Sequence, residues 1–210
     1  MGQESQLTPR PGSRQSGQSC PSESSGHNTT PDIAAPGHTL PPDVIADLRT
    51  DHAGEVGAVC IYAGVLWASR DADVRAFAIR HLATEQAHLL HISEWLPANQ
   101  HTHLLPVWRL AGWLTGALPA LAGPRATYIT IEAVERFVDQ HYAQQIARLR
   151  SEPHLSALRR TLLDCQRDEV HHRDEAAAAQ GSGQRGLITR AWCALVDAGS
   201  RAAVYVCRYV

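Results

Sequence analysis

The sequence predicts an all-α protein: an antiparallel four-helix bundle with an apolar segment between its two hairpins and one further helix at the C-terminus. Three observations predict it. From residue 42 onward apolar residues recur at helical spacing, and no stretch alternates as a half-buried strand would. Prolines and glycines break that pattern at intervals of one helix length. Four of the segments so marked off each carry a glutamate in the middle of an otherwise apolar stripe.

Residues 1–40 are rich in Ser, Gly, Pro, Gln and Thr, show no apolar period, and are expected to be a disordered tail. Arg10 and Arg14 are offset there by Glu4 and Glu23, a poor match to an Arg-rich, acid-free transit peptide, and no secretory signal is evident. Residues 41–210 read as one helical domain. The pair Pro41 and Pro42 suits the first turn of a helix over 42–69, after which "RDAD" turns the chain. A second helix over 73–96 stops at Pro97, and the linker "ANQHTH" leads into "LLPVWRLAGWLTGALPALAG", residues 104–123. The next helix starts at Pro124, behind Gly123, and ends before Pro153. Residues 154–179 form the fourth helix of the bundle, which ends at the glycines of "QGSGQRG", and residues 187–210 form the last helix.

Composition excludes several classes. The net charge of −2 offers no electrostatic footprint for nucleic acid. All 19 basic residues are arginine, from which no function is drawn. Cys20, Cys60, Cys165, Cys193 and Cys207 are odd in number and form no CxxC pair, so they read as reduced residues and not as a disulfide framework.

Residues 104–123 match the roughly 20 apolar residues that cross a bilayer, but two prolines and Arg109 interrupt them. Three readings stay open: a buried hairpin, an element that dips into one leaflet, or a true span. The last helix sets Arg190, Arg201 and Arg208, against a single Asp197, opposite Leu, Val, Trp and Tyr, as an interfacial helix would. A fifth core helix with a basic edge has the same pattern.

The inner stripes carry the chemistry. On the fourth bundle helix the stripe is Leu155, Leu158, Leu162, Cys165, Glu169, His172, Ala176, so a carboxylate and an imidazole stand at i and i+3 where core is required. The second helix repeats this with Val74, Phe77, His81, Glu85, His88, Ile92, Trp95. The third bundle helix puts Glu135 among Tyr128, Ile131, Val138, Tyr142 and Ile146; Glu132, beside Arg125, Arg136 and Asp139, reads as solvated. The first helix puts Glu55 among Val44, Leu48, His52 (or Asp51), Val59, Tyr62 and Leu66. In chain order this is Glu, Glu-x-x-His, Glu, Glu-x-x-His, the ligand set of ferritin-like di-iron carboxylate proteins. One Glu-x-x-His is commonly a surface pair; two, with single inward glutamates on the alternate helices, are not. Four buried carboxylates without counter-charge would repel one another and take up protons. Two Fe²⁺ ions neutralise them, and oxygen donors with imidazole suit iron. Asp168 either takes a ring N–H from His88 or is a surface residue, while His171, Arg173 and Glu175 point outward.

Four stretches, "LRTDHAGEVGA…IYAG", "TEQAHL", "VERFVDQHYAQQI" and "RDEVHHRDEA", resemble the demethoxyubiquinone hydroxylases of ubiquinone biosynthesis. The likeness runs from about residue 48 to the C-terminus, and its most specific parts are the DHAGE block and the spacing from Glu135 to His141 and Tyr142. The resemblance implies iron ligands at Glu55, Glu85, His88, Glu135, Glu169 and His172, the six the stripes select. It implies a di-iron monooxygenase with two iron ions per chain, O₂ as co-substrate, and an external electron donor, NADH or a reduced quinol. The substrate it implies is a membrane-borne polyprenyl methoxy-methyl-benzoquinol, met at a bilayer surface. A lipid-binding accessory protein is a partner of such enzymes, and a homo-oligomer is compatible with the pattern. The expected location is peripheral, on the cytoplasmic face of a bacterial inner membrane, with the matrix face of the mitochondrial inner membrane as the alternative. His141 and Tyr142 are candidates for substrate contact or for hydrogen bonding behind the ligands, and a core His and Tyr is the bland alternative. Gly54 and Gly57, flanking Glu55, serve either close helix packing or room for a flat ring. Two other functions share the ligand set: ferritin-like iron handling, which needs a soluble surface, and a non-catalytic lipid- or quinone-binding component.

Overall fold

The computed structural model describes residues 40–210, which form six α-helices and no strand. The expectation for residues 1–39 lies outside the described residues. α1 (Pro42–Ala68) opens with proline in its first turn, where the missing N–H costs no hydrogen bond. α2 (Ala72–Trp95) is capped by Asp71, whose side chain accepts from the backbone N–H of Asp73 at 3.1 Å and of Val74 at 3.0 Å. α3 (Leu105–Ala122) ends at Gly123, whose φ of 114° is open to glycine and strained for other residues. α4 (Pro124–Arg148) starts on the next residue, again with proline in its first turn. Two short 3₁₀ turns (Leu149–Ser151 and Pro153–Leu155) lead into α5 (Ser156–Ala179), and α6 (Leu187–Cys207) closes the chain.

α1, α2, α4 and α5 make the expected bundle. Tyr62 meets Glu135 while Tyr142 meets Glu55, so α4 runs antiparallel to α1. The short link from α1 leaves α2 in the same direction as α4, and the chain must therefore travel the length of the bundle between them. α3 makes that journey. It lies beside α1 and parallel to it, with Gly112 against Gly57 and Gly116 against Ile61. The approach is close enough that a Cβ on Gly116 would stand 1.9 Å from the Ile61 carbonyl oxygen, so glycine is required there. The long crossover of a ferritin-like bundle is here a helix in its own right.

Residues 104–123 are thus neither a hairpin nor a span. They form one helix, and no helix among the described residues is long and apolar enough to cross a membrane. One face, with Gly112, Gly116, Ala117 and Ala120, is buried; the other exposes Val107, Leu110, Leu118 and Leu121. α6 packs on α4 and α1 and buries only Val196 and Cys207, leaving Leu187, Ile188, Leu195, Tyr205 and Tyr209 exposed.

Two readings from sequence need correction. Glu132 is buried, because Arg136 from its own helix and Arg185 from the link before α6 both close on its carboxylate. The three arginines of the last helix are not a common basic edge. Arg201 pairs with Asp197 at 2.9 Å and lies over the Phe137 ring, Arg208 pairs with Asp47, and Arg190 alone has no ion pair among the described residues. Helical periodicity predicts which side a residue faces, not what another segment lays over it.

The core is split. One apolar cluster centres on Leu48, Ile92, Tyr142, Leu158 and Leu162, and the other on Tyr62, Val65, Phe77, Tyr128 and Ile131. Between them lies a layer of buried polar side chains.

Candidate metal centre

That layer is built by four helices. α1 supplies Glu55, α2 supplies Glu85 and His88 one turn apart, α4 supplies Glu135, and α5 supplies Glu169 and His172. All six are buried, none exposing more than 3% of its surface. Residues i and i+3 share a helix face, so each Glu-x-x-His pair points one way.

The side chains fall into two groups that could each hold an ion: Glu55, Glu85, His88 and Glu169, and then Glu85, Glu135, Glu169 and His172. Within each group the donor atoms lie within 4.8 Å of one another. Glu85 and Glu169 belong to both groups, so the arrangement can bridge two neighbouring ions, with one carboxylate and one imidazole to spare on each side.

The protein alone leaves this layer unsatisfied. Glu55 Oε2, both carboxylate oxygens of Glu85, Glu169 Oε2 and His172 Nδ1 are buried without a hydrogen-bond partner. His172 Nδ1 stands 3.0 Å from Glu85 Oε1 without hydrogen-bond geometry. Each such atom costs free energy unless something coordinates it. Electrostatics give the same picture. Burial, and then the charges of Glu85 and Glu169, push the Glu55 carboxyl well above the usual carboxylate range. Burial, and then Glu169 and Glu85, do the same at Glu135. Burial opposes ionisation of Glu169 too, but the neighbouring imidazoles of His172 and His88, the second hydrogen-bonded to Glu169 Oε1 at 3.1 Å, outweigh it and bring that group to about 2. The two imidazoles are raised despite burial, by the carboxylates of Glu169 and Glu85 beside them, His172 to about 9. Protons here neutralise what cations would neutralise, and four carboxylates with two imidazoles fit a pair of iron ions.

A second set of residues orients the first. Tyr142 Oη donates to Glu55 Oε1, and Tyr62 Oη donates to Glu135 Oε1 at 2.9 Å. Each tyrosine occupies one carboxylate oxygen. At Glu55 the other oxygen is left free. His88 turns Nδ1 to the cluster and holds Asp168 Oδ2 with Nε2 at 3.2 Å, as its sequence neighbourhood suggested. His171 is exposed, Arg173 pairs with Asp139 at 2.6 Å, and Glu175 is less free than an outward residue should be. Glu175 Oε2 holds buried His81 at 2.9 Å, whose ring packs 4.0 Å from that of His172. His141 and Tyr142 part company: Tyr142 reaches Glu55, whereas His141 meets Asp51 and Thr50. The contacts of Tyr62 with Glu135 and of His81 with Glu175 were not read from the sequence, although the polar tips of Tyr62 and His81, on inward stripes two turns and one turn from a candidate ligand, are a readable signal.

A cavity of about 350 Å³ runs beside the layer between α1, α3, α4 and α6. Its walls are mostly apolar, including Ile61, Phe137, Val138, Trp192 and Val204. Gly54 and Gly57, either side of Glu55, form part of one wall. A Cβ on Gly54 would meet nothing within 4 Å, whereas the Gly57 carbonyl oxygen lies 2.5 Å from where a Cβ on Gly112 would stand. A Cβ on Gly57 would likewise meet nothing within 4 Å, so both glycines leave space beside Glu55, and the close approach of the helices requires glycine at 112 and not at 57.

A sequence model of the family described as ubiquinone biosynthesis protein COQ7 matches residues 44–207. A Rhodospirillum rubrum protein named 3-demethoxyubiquinol 3-hydroxylase is 33% identical over 186 residues, spanning 87% of this chain and 85% of its own. Two relatives are named NADPH-dependent 3-demethoxyubiquinone 3-hydroxylase, mitochondrial. The Caenorhabditis elegans protein is 30% identical over 76% of this chain and 86% of its own, and the Rattus norvegicus protein 31% identical over 76% and 74%.

Proposed function

The chain belongs to the ubiquinone biosynthesis protein COQ7 family, and from that premise we propose that it is a di-iron monooxygenase that hydroxylates a polyprenyl methoxy-methyl-benzoquinol, demethoxyubiquinol, with O₂. One observation carries the reading: two groups of side chains able to hold an ion share Glu85 and Glu169 beside an apolar cavity whose wall includes Gly54, the neighbour of Glu55. Glu55, Glu85, His88, Glu135, Glu169 and His172 would hold two iron ions. Bound there, the ions would supply the reduction of O₂ and the delivery of one of its atoms to the ring.

The remaining roles fall to the chain itself. The bundle keeps water from the carboxylates, and Tyr62 and Tyr142 fix the orientation of Glu135 and Glu55. The cavity walls favour a flat ring and the start of a prenyl tail over water. A domain of residues 41–210 would suffice for this. The apolar outer faces of α3 and α6 suit a peripheral position on a bilayer, from which so insoluble a substrate must come. A bacterial inner membrane and the mitochondrial inner membrane both meet that need. NADPH, named for the worm and rat relatives, is the chemical class of the electron source proposed here. A lipid-binding accessory protein and self-association are compatible with the exposed apolar faces.

The test is direct. Protein reconstituted with Fe²⁺ is given O₂, NADPH and a short-tailed methoxy-methyl-benzoquinol, and the product is weighed by mass spectrometry. The expected product carries one added oxygen derived from ¹⁸O₂. Failure to form it with two irons bound overturns the proposal.

A further inference from the structure

Outside the ligand cluster, α1 and α4 share a second buried polar group: Thr50 and Asp51 face His141 and Gln145. Thr50, Asp51 and Gln145 each expose 3% of their surface, while His141 is partly open. Thr50 Oγ1 donates to the Asp47 carbonyl oxygen at 2.6 Å, so toward His141 Nε2, 3.1 Å away, it presents lone pairs. Gln145 Nε2 donates to Asp51 Oδ1 at 2.6 Å, and His141 Nε2 lies 3.0 Å from the same oxygen. The second N–H of Gln145 Nε2 comes within 2.8 Å of His141 Nε2, and against this one donor stand two acceptors, Asp51 Oδ1 and Thr50 Oγ1. A bare Nε2 would set its lone pair against those of a carboxylate and a hydroxyl. Nε2 therefore carries the ring proton, and in a neutral imidazole Nδ1 is then the basic site. Nδ1 makes no hydrogen bond among the described residues, and it is not one of the atoms sealed from solvent. Thr50 and Phe137 belong to the cavity wall, and His141 meets Thr50 through Nε2 and stacks along the Phe137 ring, so it stands at the edge of that cavity.

We infer that Asp51 is a positioning residue that pins His141 as the Nε2–H tautomer, leaving Nδ1 as the base that takes the proton of a ring hydroxyl in the cavity. The ring is the quinol of the proposed function, on which this inference rests. The balance is simple: the quinol O–H bond breaks, its proton joins Nδ1, and the resulting imidazolium is held against the Asp51 carboxylate while the ring becomes the more electron-rich quinolate. The step is reversible and needs no oxidant. An asparagine at position 51 keeps the shape and loses the charge, so either tautomer can then form.

Two measurements on the full chain, loaded with Zn²⁺ to keep signals sharp, test this. Ring ¹⁵N NMR should show His141 as the Nε2–H tautomer in the wild type and a mixed or reversed state in Asp51→Asn. Equilibrium dialysis should show the wild type binding a short-tailed methoxy-methyl-benzoquinol at least about tenfold more tightly than its di-O-methyl ether, the worth of one strong hydrogen bond. Asp51→Asn and His141→Phe should lose that preference; the second variant changes a partly open residue and serves if the first folds poorly. A wild type in the Nδ1–H form, or an unchanged tautomer in Asp51→Asn, overturns the inference. Equal binding of quinol and ether by a wild type whose iron form still hydroxylates the quinol overturns it and leaves the proposed function standing. A wild type that binds neither compound overturns both.

Discussion

Replacing Gly54 and Gly116 by alanine, one at a time, should move stability in opposite directions. Both glycines lie inside helices, where alanine is favoured by about 1 kcal/mol. At Gly54 nothing lies within 4 Å of the added Cβ, so Gly54→Ala should keep that gain. For a chain of this length that is a rise in Tm of about 2–4 °C. At Gly116 the Cβ would stand 1.9 Å from the Ile61 carbonyl oxygen and 2.8 Å from the carbonyl carbon, both backbone atoms with no rotamer to escape into. α3 would have to lift off α1, and overpacking of that kind costs about 1–3 kcal/mol, enough to outweigh the propensity gain. Taken at its upper end of about 3 kcal/mol, because both clashing atoms are backbone, the cost exceeds the gain by about 2 kcal/mol, a net fall in Tm of about 4–8 °C. The functional consequences invert the order. No candidate ligand lies on α3, so Gly116→Ala should keep its iron, whereas Gly54→Ala puts a methyl group into the cavity wall beside Glu55 and should raise KM for the quinol about tenfold, with iron content unchanged. Differential scanning fluorimetry, iron analysis and steady-state turnover of the two variants decide it. A Gly116→Ala protein as stable as the wild type would refute the close α1–α3 contact. A Gly54→Ala protein with unaltered KM would refute the role of that glycine in the cavity.

Three further outcomes follow from the geometry. Glu169→Ala or His172→Ala should lose most bound iron and all hydroxylation, and chelation of the wild type should lower its Tm, because metal held only by the folded state stabilises by mass action; full iron in Glu169→Ala by elemental analysis, or apo and loaded forms melting together, would contradict the ligand assignment. His52, stacked 3.7 Å from His101, has its pKa pushed down to about 4, first by burial and then by the charges of His101 and Arg109. The unfolded chain takes up that proton near pH 6.5 and the folded chain only near 4, so the stability from a neutral His52 is full above about 6.5 and drains away as pH falls toward 4; Tm measured across this range should fall less steeply in His52→Asn, and parallel curves would remove the effect. Liposome flotation should carry the wild type with anionic vesicles and should fail for Leu110→Asp combined with Leu118→Asp, both exposed on α3; flotation of neither protein would argue against a membrane-facing α3.

Much was legible in the sequence because period and chemistry coincide. A glutamate or histidine at a position whose neighbours three and four residues away are all apolar has to face inward, and a buried charge has to have a partner. That logic selected Glu55, Glu85, His88, Glu135, Glu169 and His172, and the folded chain brings all six into one layer. It also marked the helix starts at Pro42 and Pro124, since proline suits a first turn. What periodicity describes is one helix at a time. Glu132 looked solvated because its own helix surrounds it with charge, yet Arg185, 53 residues away, covers it. Residues 104–123 were apolar enough for three architectures, and only the contacts of Gly112 and Gly116 with the backbone of α1 show them as one helix laid along α1 and not a hairpin. The Asp51–His141 pair spans 90 residues of sequence, and neither residue announces the other. A single helix determines which side chains must leave water; which of them then meet depends on how the helices cross, and that is set only when the whole bundle packs.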